Sequence, residues 1–281
     1  MRALDKIRQI KTSLEKISLA NATKEAEEIV FHVLKTTKVR LFTENPLLTE
    51  EQVRIINSLV QRRLNREPLE YILGECVFCN IRVKVGPGVL IPRPETEIIV
   101  EEFKKSVTFL PRQNNRILDL CTGSGCIALS IAREFPELRV FGVDMSIKAL
   151  SYASANKKIN DIKNVHFIGG NLFSPFRYGA FAAITANPPY VTKGEIEKLQ
   201  VEVRDYEPHL ALNGGEDGLL FYRQIIRQAD MYLLPGGLIF FEMGIGQISS
   251  IRKMAENEGY EILKIVKDLA GIDRVMILKR S

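Results

Sequence analysis

Ile117-Leu118-Asp119-Leu120-Cys121-Thr122-Gly123-Ser124-Gly125 passes from a short apolar strand through a glycine-rich turn into a helix opening at Ser124. Working outward, the same alternation of strand and helix repeats to the end of the chain. Val140-Phe141-Gly142-Val143-Asp144 is followed by a helix from Ser146, then by Val165-His166-Phe167-Ile168 and by Phe181-Ala182-Ala183-Ile184-Thr185-Ala186. A helix is predicted near residues 217–234, a strand at Leu238-Ile239-Phe240-Phe241, then a last helix and two strands ending near Val275-Met276-Ile277-Leu278. Short apolar runs alternating with helices predict an α/β fold with a doubly wound, mostly parallel sheet. No internal repeat or low-complexity segment interrupts it.

Toward the N-terminus the period changes. Leu4, Ile7, Ile10, Leu14 and Ile17 recur at helical spacing. Asn21 or Thr23 is placed to cap a second helix buried through Ile29, Val30, Val33 and Leu34. Thr49-Glu50-Glu51-Gln52 reads as a capping box for a third, with Ile55, Ile56, Leu59 and Leu64 inward. Pro68 suits the first turn of a short fourth helix ending at Gly74. Residues 1–75 are therefore expected to form a helical bundle, charge-balanced and suited to docking a partner. Residues 76–92 read as a linking β-hairpin, with Val77-Phe78 and Ile81-Arg82-Val83-Lys84-Val85 as its arms, and a linker; residues 93–281 form the α/β domain. Leu90-Ile91-Pro92-Arg93-Pro94-Glu95-Thr96-Glu97 is stiffened by its prolines, and a rigid connector carrying Arg93 and Glu95 is a natural place for ligand contacts.

Composition narrows the function classes. The 281 residues carry a net charge of +5, mildly basic and without a long basic run, which disfavours a sequence-independent DNA binder. No apolar stretch of membrane-spanning length occurs, and the start lacks a signal peptide's apolar region, so a cytoplasmic protein is expected. Cys76, Cys79, Cys121 and Cys126 have neither the partners of a zinc site nor the helix placement of a redox pair, so they are read as reduced and structural, with no bound metal.

The glycine-rich turn allows close approach of backbone to ligand. Asp144 ends the next strand about twenty positions further on, where an acid binds both hydroxyls of a ribose. A nucleoside-containing cofactor follows. Gly123-Ser124-Gly125-Cys126-Ile127-Ala128 also fits a dinucleotide pattern, yet Asp119 would repel a pyrophosphate and would receive the amino group of a methionine moiety. Asn171 is placed to hydrogen-bond an adenine edge, with Leu172 or Phe173 on its face. His166 is read as structural, the charged run 201–208 as a solvated loop, and Asp273-Arg274 likewise.

Asn187-Pro188-Pro189-Tyr190 follows the Phe181 strand, at the end of the sheet where such folds bind ligands. Two prolines stiffen the backbone and free neighbouring carbonyls as acceptors, which suits a planar –NH2 group.

These residues, with Glu67-Pro68-Leu69-Glu70-Tyr71-Ile72-Leu73-Gly74, the proline-arginine-proline loop and Ala270-Gly271-Ile272-Asp273-Arg274, resemble the peptide chain release factor glutamine methyltransferases (HemK/PrmC type) across nearly the whole chain. The resemblance implies a seven-stranded, mostly parallel, Rossmann-like methyltransferase sheet. It implies methyl transfer from S-adenosylmethionine (leaving S-adenosylhomocysteine) to the glutamine side chain of a release factor's Gly-Gly-Gln motif, modulating translation termination. Cofactor contacts would fall on Asp119, Cys121, Thr122, Gly123, Ser124, Gly125, Asp144, Asn171, Leu172 and Asn187. Substrate would meet Asn187, Pro188, Pro189, Tyr190 and Arg93, with Asn187, Pro188 and Tyr190 catalytic. The partner would be a release factor, met by a monomer, with no membrane and no sequence-specific nucleic-acid contact. Two departures stand out: Cys121 occupies a position where the family usually has glycine, and Asn171 one where aspartate is expected. A backbone contact at 121 survives only if that residue does not need positive φ.

Rival readings are an amino-methyltransferase acting on adenine or cytosine, a dinucleotide-dependent oxidoreductase, and a non-catalytic docking protein. The first presents the same –NH2 geometry, but reaching a base requires flipping it and a basic groove.

Overall fold

The structure is a computed structural model describing residues 1–111, 114–178 and 181–280, so the expected domain end at 281 lies outside the described residues. It divides into two compact units, one of residues 1–74 with 201–206, the other of residues 75–200 with 207–281.

In the first unit the helices Ala3–Glu15, Ala22–Leu34, Glu50–Leu64 and Leu69–Leu73 occupy the predicted stretches. Ile7, Ile10, Leu14, Ile29, Val30 and Ile56 form its core. The capping box is present: Gln52 N donates to Thr49 Oγ1 at 3.1 Å and Thr49 N to Gln52 Oε1 at 2.9 Å. Three details differ. Asn21 precedes its helix but makes no side-chain cap bond. Ile55 faces solvent, because the buried stripe runs through Ile56, Val60 and Arg63. An additional helix, Lys38–Glu44, is capped by Thr37; with Leu41 as its one buried residue it has no periodicity to read. The charged run beginning at 201 is not a solvated loop. Val201–Arg204 is a helical turn, and Glu202 accepts from Arg63 at 3.0 Å and Arg66 at 2.9 Å. Arg63, 4% exposed, also meets Glu25 at 2.6 Å, and a buried guanidinium held by two carboxylates is well compensated.

The second unit opens with a hairpin of β1 (Glu75–Phe78) and β2 (Ile81–Lys84). β3 (Arg116–Leu120), β4 (Arg139–Asp144), β5 (Val165–Gly169), β6 (Phe181–Ala186), β7 (Leu233–Glu242), β8 (Tyr260–Lys267) and β9 (Asp273–Arg280) form a seven-stranded sheet in the order β5-β4-β3-β6-β7-β9-β8. β3 to β7 pair in parallel, while β9 runs antiparallel to both neighbours. Every residue of β6 is buried, as expected of a central strand covered on both faces. The helix predicted to reach 234 stops at Ala229, and Leu233 and Leu234 already belong to β7. The strand starts before Pro235-Gly236-Gly237 and runs through it, with Gly236 at φ +73°.

Strand order reverses at β3, with β4 on one side and β6 on the other. Ligands of open α/β sheets bind at such a switch point, beyond the carboxyl ends of the strands. In register, Asp119 lies beside Gly142 and Thr185, and Leu120 beside Val143 and Ala186. Cys121, Asp144 and Asn187 therefore emerge together. Among the described residues no helix is long and apolar enough to cross a membrane, and no cluster of His, Cys, Asp or Glu is placed to hold a metal ion.

Candidate active site

An open cleft lies at that switch point, where α/β sheets of this kind bind their ligands. The turn after β3 lends it Cys121, Thr122, Gly123 and Ser124; the end of β4 lends Asp144 and Met145; the segment after β5 lends Gly170, Asn171 and Leu172. Asn187 and Pro189 enter from the end of β6, and the loop 88–92 with Thr96 closes another side.

The backbone of the turn is left-handed at three alternate positions, Cys121 (φ +56°), Gly123 (φ +55°) and Gly125 (φ +79°). Position 121 thus does need positive φ, and a cysteine adopts it. Gly125 does not line the cleft; it packs the helix Cys126–Glu134 onto the sheet, since a Cβ there would stand 2.7 Å from Phe167.

Asp144, partly buried, accepts from Gly123 N and from Ser146 N, each at 2.8 Å, one bond per carboxylate oxygen. A carboxylate oxygen accepts more than one hydrogen bond, so both keep capacity for hydroxyl donors. Burial raises this carboxyl above its ordinary range.

Asp119 is not where the sequence reading put it. It is fully buried, outside the cleft wall, and its oxygens accept from Thr122 Oγ1 at 2.5 Å and Thr185 Oγ1 at 2.7 Å. Burial pushes it up to about 7 against the pull of those hydroxyls. Direct contact with an amino group is replaced by support of Thr122, which does line the cleft.

Asn187 donates from Nδ2 to Thr96 Oγ1 at 3.1 Å, and Thr96 Oγ1 donates to Glu242 Oε2 at 2.6 Å. Tyr190 donates its hydroxyl to Glu242 Oε1 at 3.3 Å, and Tyr222 donates to the Glu242 carbonyl at 2.7 Å. Burial pushes Glu242 up to about 7, partly offset by Thr96, Tyr190 and Arg274. The Tyr190 hydroxyl is raised by burial and by Glu242. The loop itself is clamped: Gln247 Nε2 donates to the Tyr190 carbonyl at 3.0 Å, and a Cβ at Gly214 would stand 2.8 Å from the Pro189 carbonyl.

Of the residues singled out from sequence, Cys121, Thr122, Gly123, Ser124, Asp144, Asn171, Leu172, Asn187 and Pro189 meet at one cleft. Pro188 and Tyr190 flank them in the chain but do not line the cleft. Arg93 is turned away into an ion pair with Glu207 at 2.6 Å, and Glu207 also accepts from Ile91 N, so this pair stiffens the linker. Phe173 stacks on Tyr232 in the core, with centroids 4.5 Å apart. Thr96 and Glu242 went unassigned; Glu242 carries the same signal as Asp144, an acid ending an apolar strand.

Comparison with known proteins agrees with this geometry. Residues 5–74 match the family described as PrmC N-terminal domain and residues 77–215 that described as Methyltransferase small domain. The release factor glutamine methyltransferase of Thermodesulfovibrio yellowstonii is 56% identical over all of this chain and 99% of its own length. That of Fusobacterium nucleatum is 39% identical over 95% of this chain and 76% of its own. A methyltransferase structure from Pyrococcus furiosus superposes with a TM-score of 0.53 at 18% identity, covering 83% of this chain and 100% of that one, a likeness of fold alone. With a full-length relative this similar, the chain belongs to the release factor glutamine methyltransferase family.

Proposed function

We propose that this enzyme methylates the side-chain nitrogen of the glutamine in the Gly-Gly-Gln motif of a release factor, using S-adenosylmethionine, and that Asn187 holds the accepting amide. The observation carrying this reading is the orientation of Asn187. Its Nδ2 is committed to Thr96, and among the described residues its Oδ1 has no partner, although the residue lines the cleft that holds Asp144 and the glycine-rich turn. An amide oxygen of a half-buried residue, left without a partner at the mouth of a cleft, is an acceptor waiting for a donor.

The residues fit the cofactor. Asp144 would take the ribose hydroxyls, the backbone of 121–124 the methionine end, and Asn171 and Leu172 the adenine, with Met145 and Val89 as apolar walls. When bound, S-adenosylmethionine supplies a methyl group activated by the positive charge on its sulfur. The protein must orient the nucleophile. A carboxamide nitrogen is weakly nucleophilic because its lone pair is delocalised into the carbonyl. Asn187 Oδ1 and the Pro188 carbonyl would accept its two hydrogens, hold the nitrogen toward the methyl, and stabilise positive charge developing on it. Tyr190, fixed by Glu242, would pack on the flat amide. No strong base is required, since a methylated amide nitrogen loses its proton readily. The same reading places a monomeric enzyme in the cytoplasm, with a release factor as its partner.

Asn187→Ala is expected to lower turnover by about 10²–10³, as for loss of one preorganised polar contact. Release factor and duplex DNA offered in parallel with labelled methyl donor test the substrate class; label on DNA alone refutes it, and unchanged turnover removes Asn187 from the chemistry.

A further inference from the structure

We infer that Thr96 and Glu242 are positioning residues that fix which face of the Asn187 amide meets the substrate. A carboxamide can present either oxygen or –NH2 after a half-turn, and the two ends are nearly equal in size. Only the oxygen suits an incoming –NH2 group; the other orientation would set donor against donor. Something must therefore choose.

Thr96 can choose because its hydroxyl has one proton. At 2.6 Å from Glu242 Oε2 that proton is donated to the carboxyl oxygen, and with Glu242 ionised this charge-assisted bond outcompetes a neutral one. The Thr96 oxygen is then left only as an acceptor, so the atom of Asn187 lying 3.1 Å away must be the donor Nδ2. Oδ1 is thereby turned to the cleft. Two further observations support the assignment. Thr96 is the last residue of the 3-10 turn Pro94–Thr96, which runs directly into the helix Glu97–Ser106, so its helical backbone (φ −65°, ψ −23°) fixes where its side chain leaves the chain. Its hydroxyl is spent on this relay, 2% exposed, between the proline-stiffened linker and the end of β7. Glu242 also receives the Tyr190 hydroxyl, so one carboxylate orients both residues proposed to touch the amide.

This inference rests on Asn187 contacting the substrate amide, and the test separates the two. Turnover with full-length release factor is compared for wild type, Thr96→Val, Thr96→Ser, Asn187→Ala and the Thr96→Val/Asn187→Ala double variant. Thermal melts and calorimetric binding of S-adenosylhomocysteine serve as readouts of fold and cofactor site. Thr96→Val, close to isosteric but without the hydroxyl, is expected to lower kcat by tenfold or more while cofactor affinity stays within about threefold. Thr96→Ser, which keeps the hydroxyl, recovers most of that loss. In the double variant Thr96→Val adds little to Asn187→Ala, because the relay acts through that amide. If Asn187→Ala is impaired while Thr96→Val turns over normally, or if serine rescues nothing, the relay is wrong. If Asn187→Ala itself turns over normally, the reading beneath it is wrong.

Discussion

Replacing Glu242 by glutamine should make the protein more stable at alkaline pH than at acidic pH, relative to wild type. Glu242 is 1% exposed at the end of β7, and burial raises it from an ordinary 4.5 to about 7. The groups facing it are Thr96 and Tyr190 through hydrogen bonds, and Arg274 and Glu95 through charge, Arg274 lowering and Glu95 raising its pKa. A carboxyl raised on folding binds more protons folded than unfolded between those two values. Its contribution to stability is therefore lost as pH rises through about 7. Taking each pKa unit as about 1.4 kcal/mol, wild type forgoes about 1 kcal/mol at pH 5 and about 3 kcal/mol at pH 8. Glutamine does not titrate, and it keeps one acceptor and one donor for Thr96 and Tyr190. The hydrogen bonds from Thr96 and Tyr190 to the ionised carboxylate already hold its pKa down, so they are contained in the shift and add no further pH dependence. The stability gap should widen by about 2 kcal/mol from pH 5 to pH 8. Asp119, raised for the same reason, titrates in both proteins and drops out as well. Urea unfolding at several pH values measures this, followed by far-ultraviolet circular dichroism and by tyrosine fluorescence, since the chain has no tryptophan. Parallel stability profiles for the two proteins would show that Glu242 is ionised at its ordinary pH and that the hydrogen-bonded cluster is differently protonated.

Asp144→Ala removes the acceptors proposed for the ribose hydroxyls and should weaken S-adenosylhomocysteine binding by about 10²-fold by calorimetry, at about 1.5 kcal/mol for each of two charged hydrogen bonds; unchanged affinity would remove Asp144 from the cofactor site. Gly125→Ala puts a Cβ 2.7 Å from Phe167 and 3.1 Å from Ala153 at φ +79°, and should cost about 2–3 kcal/mol of stability, read as a lower urea midpoint. Cys121→Val should cost about 2 kcal/mol because a β-branched residue resists φ +56°, whereas Cys121→Gly should stay within about 1 kcal/mol, relief of backbone strain offsetting a more flexible unfolded chain. Equal stability of the valine and glycine variants would mean that position 121 does not hold a left-handed backbone.

The sheet was legible because its signals are local. Strands β3 to β6 are short, mostly apolar runs, the pattern that burial on both faces demands of the central strands β3 and β6. Lys38–Glu44 and Val201–Arg204 were illegible because each buries too little to show a period, and the role of Glu202 depends on arginines far away in sequence. Leu233-Leu234 reads as helix because Pro235-Gly236-Gly237 marks a break in most contexts, and only the pairing of Leu233 and Leu238 with β6, across a register shift, carries the strand through. At the site, the places of Asp144 and Asn187 could be read from position alone, since Asp144 ends β4 and Asn187 follows β6 beside the switch point. Asp119 obeys the same rule and yet faces away from the cleft: its neighbour in register is Thr185, and two hydroxyls capture the carboxylate before a ligand can. Alternation within a strand decides which strand-end acid points outward, and a single-residue pattern does not reveal that choice.

Cys121 and Leu172 extend the point to the backbone. Both are non-glycine residues with positive φ, +56° and +49°, and both line the same cleft. Left-handed backbone at such a residue costs about 1–2 kcal/mol and persists only where neighbouring bonds over-determine it. After Cys121, Thr122 N is tied to the Val143 carbonyl at 3.0 Å and Gly125 N to the Thr122 carbonyl at 2.8 Å. Around Leu172, Asn171 N donates to Ser174 Oγ and Ser174 N returns to the Asn171 carbonyl, each at 3.0 Å, while the leucine side chain is buried in the core. A regular right-handed turn at either place would break these bonds and withdraw the residue from the cleft wall. The strain therefore follows from demanding two things of one residue: a side chain packed on the core and a backbone presented to the cleft. Glycine satisfies only the second, so a cysteine in the left-handed region keeps the turn's backbone at the cleft wall while adding a packed sulfur that glycine lacks.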